Sequence, residues 1–134
     1  MADRDIVTPA APHALYAEHG YSPAVRAAGL LFVSGQVGAR ADGSPEPDLD
    51  AQVRLAFDNL RGILDAAGLT FDDVVDVMLL SVDPDNAFPI ALDVLPALWG
   101  GKAPPALTAV GVTWLAGFQF EIKVVAQLRE TNGG

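Results

Sequence analysis

Glu121 is the residue in this sequence best suited to proton chemistry. It lies in segment 118–128, where Phe118, Phe120, Ile122, Val124, Ala126 and Leu128 alternate with Gln119, Glu121, Lys123 and Gln127. A two-residue period puts the first set on one sheet face and the second on the other. On its face Glu121 either lines an enclosed pocket or pairs with Lys123 or Arg26 in solvent. In a pocket, lost hydration raises a carboxyl pKa, so the group can hold or move a proton. Ser34-Gly35, in the apolar run 30–37, offers a hydroxyl and a backbone N–H to a ligand oxygen, or marks a bulge where backbones pack closely. Tyr21 either closes a pocket with its ring and hydroxyl or sits as an edge aromatic. Trp114 either stacks on a planar ligand or packs in an interface.

Other chemistries are excluded by residue type. The 134 residues include no cysteine, which removes thiolate nucleophiles, disulfides, Fe–S clusters and Cys-ligated zinc. His13 and His19 lie in a Pro/Ala-rich stretch without ligand spacing, so no metal site is predicted. Eight basic and 17 acidic residues give a net charge of −9, and the basic ones are scattered singly. That pattern suits neither nucleic-acid phosphates nor an anionic membrane surface. No apolar run approaches the ~20 residues of a membrane span. The start, Met-Ala-Asp-Arg-Asp, lacks the pattern of an export signal, so a cytoplasmic protein is expected.

The elements that position these residues follow from periodicity. Residues 1–20 are irregular, with a strand candidate at 5–8. Two extended arms over 24–37 meet at Ala28-Gly29, a hairpin turn, and the second arm reads as a central strand apolar on both faces. Residues 40–47 form a loop. A helix over 48–67 shows one stripe of Val53, Phe57, Leu60, Leu64 and Ala67, with Asp48 and Asp50 at its start and Gly68 past its end. A strand follows at 73–82, with Asp72-Asp73 leading in. A second helix starts at Asp83-Pro84-Asp85-Asn86 with a Phe88, Leu92, Leu95 stripe, and Pro96 should shorten or kink it. Strands at 107–114 and 118–128 flank a turn at 115–117. This order predicts an α+β fold in one domain, 1–134: a mixed sheet with two helices on one face. The other face, apolar at 30–37 and 107–114, then needs a partner. An apolar fraction of 51% fits subunit interfaces and an alanine-rich composition equally well.

Tyr21-Ser22-Pro23-Ala24-Val25, Gly29-Leu30-Leu31-Phe32-Val33-Ser34-Gly35-Gln36, the following helix and Glu121-Ile122-Lys123-Val124 together resemble the Rid (reactive intermediate deaminase, YjgF-like) family over about 6–128. The stretch 108–118, Thr-Ala-Val-Gly-Val-Thr-Trp-Leu-Ala-Gly-Phe, is similar to a YjgH-like branch. The resemblance implies a chorismate-mutase-like fold and a homotrimer with a small-molecule pocket at each interface. It also implies hydrolysis of imines and enamines, released by pyridoxal-phosphate enzymes, to ketoacids and ammonia, with no metal or organic cofactor. In the deaminase branch an arginine binds the substrate carboxylate, and a glutamate fifteen residues later handles the water.

Carried over by position, Glu121 is the catalytic residue, and Tyr21, Ser34, Gly35, Ala106 and Thr108 belong to substrate binding; Trp114, the residue most unlike the deaminase branch, joins them as a ring able to stack on a planar ligand. Thr108 falls where a backbone N–H contacts the ligand. Ala106 stands where the arginine would be. An arginine–carboxylate pair is a strong, directional contact, so its loss implies a substrate neutral or cationic at that end. The alternative is a non-catalytic small-molecule-binding protein of the same fold. A ribonuclease or translation-inhibitor role, also attached to the family, fits poorly with an acidic chain lacking a basic stripe.

Overall fold

The computed structural model describes residues 3–130. Its sheet grows from local pairings. Strand β2 (Ala24–Ala27) turns through Ala28-Gly29, both at positive φ (55° and 78°), into β3 (Leu30–Val33). Two such residues give the tight hairpin that matches strand twist. β1 (Asp5–Val7) pairs antiparallel with β2. Long β7 (Phe120–Gln127) runs antiparallel to β3, to the short β4 (Gln36–Val37) and to β5 (Val74–Ser81). β6 (Ala106–Gly111) lies parallel to β5 and ends the sheet, whose order is β1-β2-β3-β7-β5-β6.

Helix α2 (Leu49–Ala66) begins where the Asp48 carboxylate accepts the Ala51 N–H at 3.0 Å, satisfying one of the free donors of the first turn. Gly68, at φ 73°, carries the chain away in the left-handed region. The buried stripe Val53, Phe57, Leu60, Leu64, extended by Ala56 and Ile63, meets Phe120, Ile122, Val124 and Ala126 of β7 in one core. Helix α3 (Pro84–Val94) covers the same sheet face and tightens into a 3₁₀ turn, Leu95–Trp99, as Pro96 predicts. The expected mixed sheet with helices on one face is therefore present. Among the described residues no helix is long and apolar enough to cross a membrane.

Five local expectations need correction. Residues 1–20 hold a helical turn, α1 (Leu15–His19), too short for a periodic signal. The run 30–37 is two strands broken at Ser34-Gly35, and it is not buried on both faces: Leu31 and Val33 are buried but Phe32 is 42% exposed. Helices cover only one side of the pleat, so alternate residues face out. The strand expected over 107–114 ends at Gly111, leaving Trp114 in the loop before β7. In α3 the buried positions are Ala87 and Ala91, with Leu95 just beyond, whereas Leu92 is 48% exposed. Small residues let this helix lie close to the sheet, which turns the larger Leu92 outward. Asp73 belongs to a 3₁₀ turn, Phe71–Asp73, and β5 starts one residue later.

On the helix-free face, register aligns Glu121 with Leu80 and Val110, Lys123 with Met78 and Thr108, and Val125 with Asp76 and Ala106. Phe32, Met78 and Val110 are exposed there, and every residue of β6 is exposed.

Candidate functional site

Glu121 occupies the β7 position beside the β3–β4 break. The break is fastened by polar contacts. The Ser34 N–H donates to the Pro23 carbonyl at 2.9 Å and its hydroxyl to the Ser22 carbonyl at 2.6 Å. Buried Gln36 donates to the Ser34 carbonyl at 2.9 Å and accepts from the Tyr16 hydroxyl at 3.1 Å. Gly35 is needed for space, since a Cβ there would collide with the Glu121 carboxylate. Glycine thus lets the carboxylate lie flat against backbone.

A cavity of about 490 Å³ opens over this carboxylate, within the size range of small-molecule sites. Glu121 and Gly35 line one part of it, and Val37, Leu115, Phe118 and Trp114 supply apolar wall. The Leu115–Phe118 turn holds Ala116 and Gly117 at positive φ and closes with a 3.0 Å bond from the Phe118 N–H to the Leu115 carbonyl. Leu15, His19 and Tyr21 come from α1 and the segment after it. Gly20, at φ 70°, ends α1, and the Gly20 and Tyr21 N–H groups both donate to the Tyr16 carbonyl (2.9 and 3.2 Å). Tyr21 packs edge-on against Tyr16 at 5.0 Å, and His13 stacks on the Tyr16 ring at 4.3 Å.

Burial pushes the Glu121 carboxyl above the usual carboxylate range, partly opposed by Lys123. Lys123 itself donates to the Val33 carbonyl at 2.9 Å. Burial also pushes the Tyr21 phenol up, and the Glu121 charge adds to it. Arg26 is paired with Asp5 at 2.9 Å and Lys102 with Asp72 at 3.3 Å. Among the described residues, neither lysine nor arginine lines the cavity.

Of the residues expected at the site, Tyr21, Gly35, Trp114 and Glu121 line one cavity. Ser34 does not, and its hydroxyl is spent on the Ser22 carbonyl. Ala106 and Thr108 share the open sheet face with Glu121 but sit farther along β6. Four residue steps and two strand spacings put Ala106 about 16 Å from Glu121 along the same chain. His19, Leu15 and the loop residues Gly43 and Pro45 were not expected in the lining. Only the i, i+4 spacing of Leu15 and His19 hints at the pair, and it has meaning only once α1 is known.

The model of the family described as endoribonuclease L-PSP matches residues 11–128. The chain belongs to that family, the Rid or YjgF-like proteins. Within it, the chain is 57% identical over 130 residues to the RutC family protein YjgH of Escherichia coli (strain K12), covering 97% of this chain and 99% of that one. A solved structure of protein YjgH superimposes with a TM-score of 0.90 at 56% identity, over 97% of this chain and 100% of that one. A 2-iminobutanoate/2-iminopropanoate deaminase of Dermatophagoides farinae is 31% identical over 115 residues, covering 84% of this chain and 85% of that one. This Rid-family chain therefore shares the fold and carries Ala106 on its open sheet face.

Proposed function

We propose that this Rid-family chain hydrolyses small imines or enamines in the Glu121 cavity, within a homotrimer. The observation that carries the reading is a half-buried carboxyl, held above its usual range, against Gly35 in a cavity with apolar walls. Water adds to the C=N carbon, the carbinolamine loses ammonia, and a carbonyl compound remains. A carboxyl of raised pKa suits this sequence because it accepts a proton from water and returns it to nitrogen. The deaminase name of one relative supports the reaction type. With no lysine or arginine in the lining, the expected substrate is apolar and neutral or cationic.

The trimer reading rests on the open face, where exposed Phe32, Met78 and Val110 form apolar surface of the kind that subunits cover. Ala106 and Thr108 would then reach a Glu121 cavity only from a neighbouring copy. Sedimentation equilibrium should return about three times the 14.0 kDa chain mass, and a monomer at micromolar concentration overturns this part of the proposal.

Hydrolysis is tested on a panel of imines generated in situ, by ammonia release. Glu121→Ala should lower kcat/KM by about 10² or more. An unaffected rate, or no rate with any imine, sinks the reading. A metabolite retained through native mass spectrometry and returned unchanged would instead mark a binding protein.

A further inference from the structure

The cavity that contains Glu121 is lined by a second side chain with proton-donating and proton-accepting nitrogens, and it comes from an element absent from the periodicity of the sequence. His19 closes α1, one helical turn after Leu15, and both line the cavity. The backbone that carries it is held from two sides. The Gly20 C-cap and the paired N–H bonds to the Tyr16 carbonyl hold the backbone next to it. Tyr16 anchors α1 to the sheet through its 3.1 Å bond to Gln36. The imidazole is exposed and so open to a ligand.

Imine hydrolysis requires two proton movements at once: one away from the attacking water and one onto nitrogen. A single carboxylate supplies one of them. Tyr21 is a poor donor for the other, since burial and the Glu121 charge both hold its proton on. Lys123 does not line the cavity and is engaged by the Val33 carbonyl. Imidazole is the side chain that exchanges protons most readily near neutrality.

We propose that His19 is the second catalytic residue, the group that gives the imine nitrogen its proton and later takes the hydroxyl proton. The inference rests on the hydrolytic reading above. As the water oxygen bonds to carbon, Glu121 takes the water proton. The C=N π pair moves to nitrogen, which receives a proton from the His19 imidazolium. The neutral carbinolamine then collapses: protonated Glu121 returns its proton to the amine nitrogen, and His19 takes the hydroxyl proton. The C–N bond breaks with its electron pair leaving on ammonia, and C=O forms. Both side chains end as they began, and the net change is imine plus water to carbonyl compound plus ammonia.

The test is chemical rescue. His19→Ala should lower kcat about 10²-fold while leaving thermal stability unchanged, because the side chain is exposed. Added imidazole should restore at least about tenfold, and substituted imidazoles should rescue in order of their acidity, which a packing role would not produce. Wild-type kcat in His19→Ala, or a loss that no imidazole rescues, overturns the assignment. If Glu121→Gln abolishes turnover while His19→Ala does not, only the His19 role falls. If the wild-type protein hydrolyses no imine, the hydrolytic reading and the His19 role fall together.

Discussion

Substituting Gly35 by alanine separates the site from the fold. The added Cβ would meet the carboxylate oxygen, Cδ and Cγ of Glu121, all of them side-chain atoms. Glu121 must leave its rotamer, at a cost of about 0.5–1.5 kcal/mol. Alanine also stiffens the unfolded chain, offsetting about 0.4–1 kcal/mol. The net loss of stability is therefore about 1 kcal/mol or less, a few degrees at most in Tm for a domain of this size. The carboxylate, however, is moved off the cavity floor, and misplacement by about 1 Å costs on the order of 10²-fold in rate. Gly38 is the control, because its Cβ would strike the Gln52 carbonyl inside α2. Backbone cannot step aside, so Gly38→Ala should cost about 1–3 kcal/mol or more. Thermal denaturation and imine turnover, measured on both variants, decide the matter. Full activity in Gly35→Ala, or a Tm loss as large as that of Gly38→Ala, would refute the close approach as a site device.

Glu121→Gln should change the pH dependence of stability. Because burial raises the folded carboxyl, its favourable contribution is full below the unfolded pKa and is lost as pH rises through the folded one. Wild-type Tm should fall relative to the glutamine variant as pH rises from the ordinary carboxylate range through the raised folded pKa, and parallel Tm curves would contradict the burial argument. Ala28→Asn should stabilise by about 0.5–1 kcal/mol, since Ala28 holds a positive φ that asparagine tolerates better; urea titration reads it directly. Asp48→Ala should cost about 1 kcal/mol by removing the acceptor for the Ala51 N–H, seen as a lower urea midpoint at constant slope.

Where pattern and packing agree, the sequence was readable. The α2 stripe, the alternation of 118–128 and the Ala28-Gly29 turn all express a local period or a local φ that the residues themselves dictate. Glu121 was found as the carboxylate interrupting an apolar strand. What stayed hidden depends on neighbours far along the chain. Ser34 looks like a ligand contact until Ser22, twelve residues away, is seen to accept its hydroxyl proton. His19 looks like an isolated histidine until α1 folds against Gln36. Leu92 looks like core because large residues usually anchor a helix, yet Ala87 and Ala91 make the contact. Trp114 left its expected strand because the β5–β6 ladder ends at Ser81 and Gly111, after which the chain must turn toward β7.

The position of β6 at the end of the sheet has a bearing on solubility. A terminal strand offers its outer backbone donors and acceptors to any other extended chain, and a six-residue parallel strand exposed along its whole length is a ready template. Pro104 and Pro105 stand immediately before it, and proline has no N–H with which to prolong a ladder. They stop an incoming strand from growing backwards past Ala106. Replacing them would lengthen the edge along which a foreign strand can pair, and so raise the tendency of the chain to aggregate through β6.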